Sequence, residues 1–115
     1  MATRQEAIEA IVAELRKPGY GYTMVVSPNH MLSVILQEDT REAFAKTHLD
    51  HNGTVASITV GLRAAYFVAG TKPERLAGYS QLGLLVVENL SAVPIPVCRV
   101  IEGYAGAGVP LICFS

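Results

Sequence analysis

The segment 54–70, TVASITVGLRAAYFVAG, constrains the fold more than any other part of the chain. It carries a single charge, on Arg63, and is otherwise apolar or small, so a helix here would have to be covered on nearly all sides. Thr54 suits a helix N-cap and Gly70 suits the position after a helix end. Over residues 55–62, the apolar residues at 56, 58, 60 and 62 alternate with the residues at 55, 57, 59 and 61, which is typical of a strand. Because the run is longer than an ordinary strand, we predict a buried helix and keep a strand over 55–62 as the alternative.

The composition indicates that part of the apolar surface is hidden between subunits. Hydrophobic residues make up 50% of the 115 residues and charged residues only 17%, which is apolar for so small a chain. The length predicts a single domain over residues 1–115. The longest apolar run is interrupted by Thr59 and Arg63, short of what crosses a bilayer. We therefore expect a soluble homo-oligomer without a membrane partner.

Charge and cysteine content narrow the partners further. The net charge of −1 and the sequence pI near 6.3 leave no basic stripe, so we expect no nucleic-acid partner. Cys98 and Cys113 are the two cysteines, and the charged N-terminal segment has no apolar core typical of a signal peptide. These features predict a cytoplasmic protein with reduced thiols.

The first half of the chain predicts a helix followed by a hairpin. Thr3 and Glu6 have the spacing of a capping box, and apolar residues then recur at helical intervals. Segments 22–26 and 31–37 are predicted strands of an antiparallel hairpin, with a turn at 27–30. A short helix around 43–45 is expected to precede the buried segment.

The second half predicts another helix and another hairpin. A capping pattern at 71–74 opens a helix that continues with apolar residues to Leu90. Strands over 93–101 and 109–114 flank the Gly-rich run 103–108, which would place Cys98 opposite Cys113. The predicted fold class is α+β: a single antiparallel sheet of about four to five strands, in two hairpins, with the helices packed on one face.

Two groups of residues are candidates for chemistry. His48, Asp50 and His51 combine imidazole and carboxylate groups, which suit acid–base catalysis, and they are the catalytic candidates; no metal site is predicted. The alternative is a solvated loop that caps the next helix.

Arg63 is the second candidate, together with Thr59 and Tyr66. Thr59 lies four residues before Arg63 and Tyr66 three residues after it, so the three would share one face of a helix. A buried cation there would bind an anionic ligand, and these are the ligand-binding candidates. The alternative is that Arg63 extends toward solvent or a subunit interface.

Several short segments of the chain resemble segments of one known family. Residues 25–29 (VVSPN), 69–73 (AGTKP), 83–85 (GLL) and 93–95 (VPI) are similar to segments of the GlcG/HbpS-type heme-binding family, which includes the C-terminal domain of some cobalamin adenosyltransferases. The family has an aspartate in the turn where this chain has Ser27. The resemblance implies a PAS/profilin-like sheet, oligomeric assembly, and binding of heme or a related anionic small molecule.

Two other function classes stay open beside this ligand-binding hypothesis. The His/Asp segment before a long apolar stretch also resembles the hot-dog acyl-CoA thioesterases, in which His48, Asp50 or His51 would be catalytic. The excess of apolar surface alone is compatible with a structural or interaction oligomer without catalytic activity. Whether the chain is an enzyme differs among these hypotheses, and heme is the one cofactor that the resemblance suggests.

Overall fold

The computed structural model describes residues 1–47, 52–53 and 56–115. Three helices and six strands alternate along these residues. They are α1 (Arg4–Leu15), β1 (Tyr20–Ser27), α2 (His30–Thr47), β2 (Asn52–Gly53), β3 (Ser57–Val60), β4 (Leu62–Ala69), β5 (Leu82–Glu88), α3 (Ile95–Gly106) and β6 (Leu111–Phe114), with short 3-10 turns at Pro73–Arg75 and Leu90–Ala92.

All six strands form one mixed, mostly parallel sheet in the order β2-β3-β4-β1-β5-β6. Strand β1 is parallel to both β4 and β5, and β5 is parallel to β6. Only β2, β3 and β4 are joined in antiparallel pairs. The broad prediction of one sheet with packed helices is confirmed, whereas the purely antiparallel sheet of two hairpins is wrong.

The helices cover both faces of the sheet, which also contradicts the prediction of helices on one face. Side chains of α1 and α2 pack on one face around Val25 and Val86. Side chains of α3 pack on the other face around Val26 and Val87. Neighbouring residues of β1 and β5 therefore point into two separate hydrophobic clusters, as strands of a sheet covered on both sides must.

The N-terminal helix forms as its sequence predicts. The Thr3 hydroxyl accepts the Glu6 N–H at 3.1 Å, and the Glu6 carboxylate accepts the Thr3 N–H at 2.9 Å. The capping box is thus complete, and it satisfies two of the amide groups that a helix leaves without partners at its start.

The segment that we predicted as a buried helix is instead the β3–β4 hairpin. Val60 pairs with Arg63, and Gly61 makes the turn with a φ of 59°, a conformation that favours glycine. Thr54, the predicted N-cap, lies outside the described residues. The helix prediction was wrong because two strands joined by a tight turn occupy as many residues as one buried helix. The alternation over 55–62 was the informative pattern.

The predicted second strand, 31–37, is part of helix α2, which also absorbs the short helix expected around 43–45. The Asn29 side chain accepts the Leu32 N–H at 2.9 Å and so caps the start of this helix. Because β4 is parallel to β1, the chain must return along the molecule between them, and a helix is the usual crossover.

The last third of the chain reverses the predicted order of helix and strand. Residues 82–88 form β5 rather than a helix, because a strand buried on both faces is apolar without alternation. Pro94 and Pro96, which fall within the predicted strand 93–101, lie at the N-cap and in the first turn of α3, where a missing N–H costs nothing. Cys98 is on α3 and Cys113 is on β6, and both thiols are free, so the predicted cross-strand pair is wrong.

Among the residues that the structure describes, no helix has both the length and the apolar character needed to cross a membrane.

Candidate functional site

The order of the strands places a crevice between the carboxyl ends of β1 and β5. From β1 the chain passes through α2 and β3 to β4 on one side, and from β5 it passes through α3 to β6 on the other side. Adjacent parallel strands whose connections leave in opposite directions form a topological switch point, where open α/β sheets bind their ligands. Ser27 is the last residue of β1 and Glu88 is the last residue of β5.

Ser27 and Glu88 meet in this crevice. The residues just before them, Val26 and Val87, point to the side of the sheet that α3 covers. Because successive strand residues point to opposite faces, Ser27 and Glu88 lie on the face that α1 and α2 cover. The Ser27 hydroxyl donates to Glu88 Oε1 at 2.9 Å, and both residues are buried. A buried carboxylate requires such partners, because burial without them would strongly favour its neutral form.

Arg4, the first residue of α1, completes the cluster. Its Nη1 lies 3.3 Å from Glu88 Oε2, and its Nη2 lies 2.8 Å from Asp39 Oδ2 on α2. The guanidinium also lies 5.9 Å from the centre of the Phe114 ring. One arginine therefore partners two carboxylates from two different elements. Glu88 is 11% exposed in its side chain whereas Asp39 is 41% exposed, so the cluster opens to solvent on the side of α2.

The start of the chain is held at this edge of the sheet. The Ala2 N–H donates to the Cys113 carbonyl at 3.1 Å, and Ala2 forms an isolated parallel bridge with Phe114. These contacts fix the first residue of α1 above the carboxyl ends of the strands. From Arg4 and Asp39 a groove of about 350 Å³ continues between α1 and α2, and Gln5, Glu42 and Lys46 are among the residues that line it.

The sequence contained a signal for this site that was misinterpreted. The apolar run 84–87 (LLVV) ends in Glu88, which is the pattern of a buried parallel strand followed by a functional carboxylate. We assigned this run to a helix, so Glu88 was not a candidate. The contribution of Arg4 and Asp39 has no local signal, because each lies on a helix surface far from Glu88 in sequence.

The predicted catalytic residues His48, Asp50 and His51 lie outside the described residues, and their role stays a prediction. Within residues 1–47, 52–53 and 56–115 there is no group of three or more His, Cys, Asp or Glu side chains arranged to hold a metal ion.

Arg63 is satisfied within the protein. Its guanidinium donates to the carbonyl of Lys17 at 3.1 Å and to the carbonyl of Pro18 at 3.3 and 3.4 Å, and it lies 3.5 Å from a carboxylate oxygen of Glu14. Its side chain is only 15% exposed. The arginine therefore ties the end of α1 and the following loop to the start of β4, which is a structural task.

The predicted shared face of Arg63, Thr59 and Tyr66 does not exist, because these residues lie on strands. Arg63 contacts Glu14 of α1, whereas Tyr66 packs on the α3 side, between Tyr22 and Tyr79 at centroid distances of 5.6 and 5.7 Å. Thr59 pairs with Ala64 and lies on the same side as Tyr66. A ligand-binding role for these residues stays a prediction without its original basis.

The comparisons with known proteins identify a fold. No protein-family model matches the sequence, and no curated protein matches it. The chain is similar in structure to the Thermus phage P74-26 large terminase ATPase domain, with a TM-score of 0.78 and 12% identity over 97% of this chain and 54% of that one. A mutant of the same domain gives a TM-score of 0.76 at 12% identity, with the same coverage.

The large terminase of the thermophilic bacteriophage D6E gives a TM-score of 0.77 at 8% identity, over 97% of this chain and 30% of that one. The chain thus spans about half of the terminase ATPase domain and about a third of the longer terminase chain. At these identities the likeness concerns the fold.

This likeness overturns the earlier assignments of family and function. The similar structures are a phage large terminase ATPase domain and a phage large terminase, and the sheet of this chain is mostly parallel, so the resemblance to the GlcG/HbpS-type heme-binding family and its PAS/profilin-like sheet was wrong. The hypotheses of a heme or small-molecule binder, of a hot-dog thioesterase and of a non-catalytic structural oligomer fall with it. The expectations of no nucleic-acid partner, of homo-oligomerisation and of a cytoplasmic location stay predictions.

Proposed function

We propose that this chain is a nucleotide-binding unit of the ATPase type, which binds a nucleoside polyphosphate together with Mg²⁺ in the crevice between β1 and β5. The observation that supports this most directly is Glu88, a buried carboxylate at the carboxyl end of a central parallel strand, bonded to Ser27 at the end of the neighbouring strand. The large terminase ATPase domains, to which the fold is similar, are ATPases by name.

The oxygen donors in the crevice fit Mg²⁺. Mg²⁺ is usually held by one or two carboxylates together with water and substrate phosphates, and in P-loop ATPases a serine or threonine and a strand-end acidic residue hold it. Ser27, Glu88 and Asp39 supply a hydroxyl and two carboxylates. The bound metal would neutralise phosphate charge, while Glu88 and Ser27 hold it and Arg4 is close enough to the same carboxylates to contact a phosphate group.

The 115 residues lack a P-loop motif, and this limits the expected affinity for Mg²⁺–ATP. The 115 residues contain no G-x-x-x-x-G-K-[ST] string, and the Gly-rich run 103–108 is followed by neither the lysine nor the hydroxyl residue of that motif. Without a loop that cradles the phosphates, we expect a dissociation constant of about 0.1–1 mM for Mg²⁺–ATP, equivalent to roughly −4 to −5.5 kcal/mol. We expect these residues alone to bind nucleotide without hydrolysing it.

The experiment is a titration with a fluorescent ATP analogue, in Mg²⁺ and again in EDTA. Wild type should bind more tightly with Mg²⁺, and Glu88→Gln should abolish most of this difference, because the amide keeps the shape but loses the charge that holds the metal. Glu102→Gln is the matched control, since Glu102 is exposed on α3, which covers the opposite face of the sheet.

Urea unfolding of each variant checks that Glu88→Gln still folds. Binding that is equal with and without Mg²⁺, or equally reduced by Glu88→Gln and Glu102→Gln, would contradict the proposal. So would the absence of binding at about 5 mM nucleotide, well above the expected dissociation constant.

A further inference from the structure

A second cavity, of about 310 Å³, lies at the same edge of the sheet but beside the end of β4. It is bounded by the first turn of α2, the last residues of β4 and the 3-10 turn Pro73–Arg75. The polar residues that line it are His30, Ser33, Arg75 and Tyr79. None of the described residues that line it is acidic, in contrast to the crevice around Glu88.

Helix α2 presents its N-terminus to this cavity. It is 18 residues long, so the positive end of its dipole is well developed. The Asn29 side chain accepts the Leu32 N–H at 2.9 Å and the Asn29 carbonyl accepts the Ser33 N–H at 3.1 Å. The first two amides of the helix, those of His30 and Met31, belong to the turn whose N–H groups have no partner within the helix.

Ser33 is an independent indication of a ligand. The residue is 5% exposed, it lines the cavity, and among the described residues no hydrogen bond is formed by its hydroxyl. The hydroxyl is not itself a fully buried atom without a partner, so it is open to the cavity, where water or a ligand can bond to it. Its position one turn into the helix lets it donate to a group that also contacts the first amides.

A guanidinium and an imidazole border the cavity. Arg75 and His30 are both exposed, and no salt bridge joins either of them to an acidic group in the part of the chain that the structure describes. The Arg75 backbone is held in its turn by the bond from its N–H to the Lys72 carbonyl at 3.3 Å. A guanidinium is well suited to a planar or tetrahedral oxyanion, because it donates two parallel hydrogen bonds.

Tyr79 supplies a further donor that stays neutral. Its ring lies 5.7 Å from that of Tyr66, and its backbone N–H donates to the Tyr104 hydroxyl at 3.2 Å. Burial raises the pKa of Tyr79, with the neighbouring Tyr66 and Tyr104 adding to the effect. The phenol therefore keeps its proton at neutral pH and does not repel an anion.

We propose that this cavity binds a phosphate group, held by the first amides of α2, the Ser33 hydroxyl and the Arg75 guanidinium. The site is separate from the Ser27–Glu88 crevice and does not depend on Mg²⁺. The phosphate is either that of a nucleotide or that of a nucleic-acid backbone, since both offer the same oxygen acceptors.

The first test is a ¹H–¹⁵N NMR titration of the full chain with inorganic phosphate, with sodium chloride at matched ionic strength as the reference. Phosphate should shift the amides of His30, Met31 and Ser33 in a saturable way. Arg75→Gln should weaken binding about tenfold, because a charge-assisted bond is lost. Arg99→Gln is the matched control, as Arg99 is an exposed arginine on α3, and it should leave the titration unchanged.

Ser33→Ala separates a binding role from a structural one. Alanine is the better helix former, so the free energy of unfolding should stay equal or rise while phosphate binding weakens several-fold. Shifts that chloride reproduces, or that are spread evenly over the chain, would refute the site. So would equal losses in Arg75→Gln and Arg99→Gln, or phosphate binding that Ser33→Ala leaves unaltered.

The source of the phosphate is resolved by two further ligands, added in EDTA. If ADP shifts the α2 amides and an oligothymidylate without terminal phosphates does not, the site binds a nucleotide phosphate. If the oligothymidylate shifts them with a steep dependence on salt, the site takes a nucleic-acid backbone. Because EDTA removes the metal that the Glu88 crevice requires, failure of the nucleotide proposal leaves this result unaffected, and the reverse also holds.

Discussion

Gly70 follows β4 directly and is packed against β1 so closely that it has no room for a side chain. A Cβ atom added at Gly70 would lie 2.6 Å from Val26 Cγ1 and 3.4 Å from the Ser27 carbonyl oxygen. Carbon atoms attract one another best at about 3.5–4.0 Å, so the overlap with Val26 is about 1 Å. Val26 is fully buried and β-branched, which leaves it few other rotamers. The Gly70 N–H also donates to the Ser27 carbonyl at 2.7 Å, which limits any backbone shift.

We therefore expect Gly70→Ala to destabilise the protein. Overpacking a core costs about 1–3 kcal/mol. Replacing glycine by alanine also lowers the conformational entropy of the unfolded chain, which offsets about 0.4–1 kcal/mol of this cost. The net loss should be about 1–2 kcal/mol in the free energy of unfolding. Urea denaturation followed by circular dichroism measures it as a lower midpoint at an unchanged m-value.

Gly103→Ala is the matched control, because it is the same chemical change inside helix α3. A Cβ atom there meets nothing within 4 Å, so the helix propensity of alanine should raise the free energy of unfolding by about 0.5–1 kcal/mol. The two variants should thus shift the midpoint in opposite directions. If Gly70→Ala were as stable as wild type or more so, the close packing of the β4 end against β1 would be refuted.

Three further predictions concern single side chains. Arg63→Met should lower the free energy of unfolding by about 1–2 kcal/mol, as bonds from a mostly buried guanidinium to two carbonyls and Glu14 are lost; an equally stable variant in urea would contradict this. The Thr3 N–H and hydroxyl lower the pKa of Glu6 below 4.5, so the stability that the Glu6 carboxylate contributes is present above the unfolded pKa and is lost as pH falls through the folded pKa. Wild type should therefore lose stability more steeply below about pH 4.5 than Glu6→Gln. Parallel pH profiles of the two proteins would refute this effect of Thr3 on Glu6. Burial raises the pKa of the Cys113 thiol, so in Cys98→Ser its reaction with iodoacetamide at neutral pH should be slower than that of a free thiol, and become equal after unfolding.

The parts of this fold that could be predicted were those encoded within one turn of chain. The Thr3–Glu6 capping box and the apolar stripe of α1 depend on contacts three to five residues apart, and both appear in the structure as expected. The strand 22–26 was also correct, since it lies within β1.

Longer apolar segments were misassigned because their surroundings, not their residues, decide between helix and strand. Residues 82–87 are apolar or glycine in every position because β5 is covered on both faces, and periodicity cannot distinguish such a strand from a buried helix. Residues 95–106 form a helix although prolines interrupt their start, because the prolines fall in the first turn.

The candidate site was missed for the same reason. Ser27, Glu88 and Arg4 are brought together by the order of the strands and by the bridge from Ala2 to β6, which no local pattern encodes. Arg63 was noticed as unusual from sequence, but only the structure places its partners, the carbonyls of Lys17 and Pro18, 46 and 45 residues away.

By itself, the sequence determined the first helix, the central strand, the absence of a P-loop motif and the amount of apolar surface to be buried. The tertiary structure decided that the sheet is mostly parallel, that helices cover both faces, and that a carboxylate and a hydroxyl meet where β1 and β5 end. The physical reason is that local bonds depend on neighbouring residues, whereas the pairing and covering of strands depend on contacts between segments tens of residues apart.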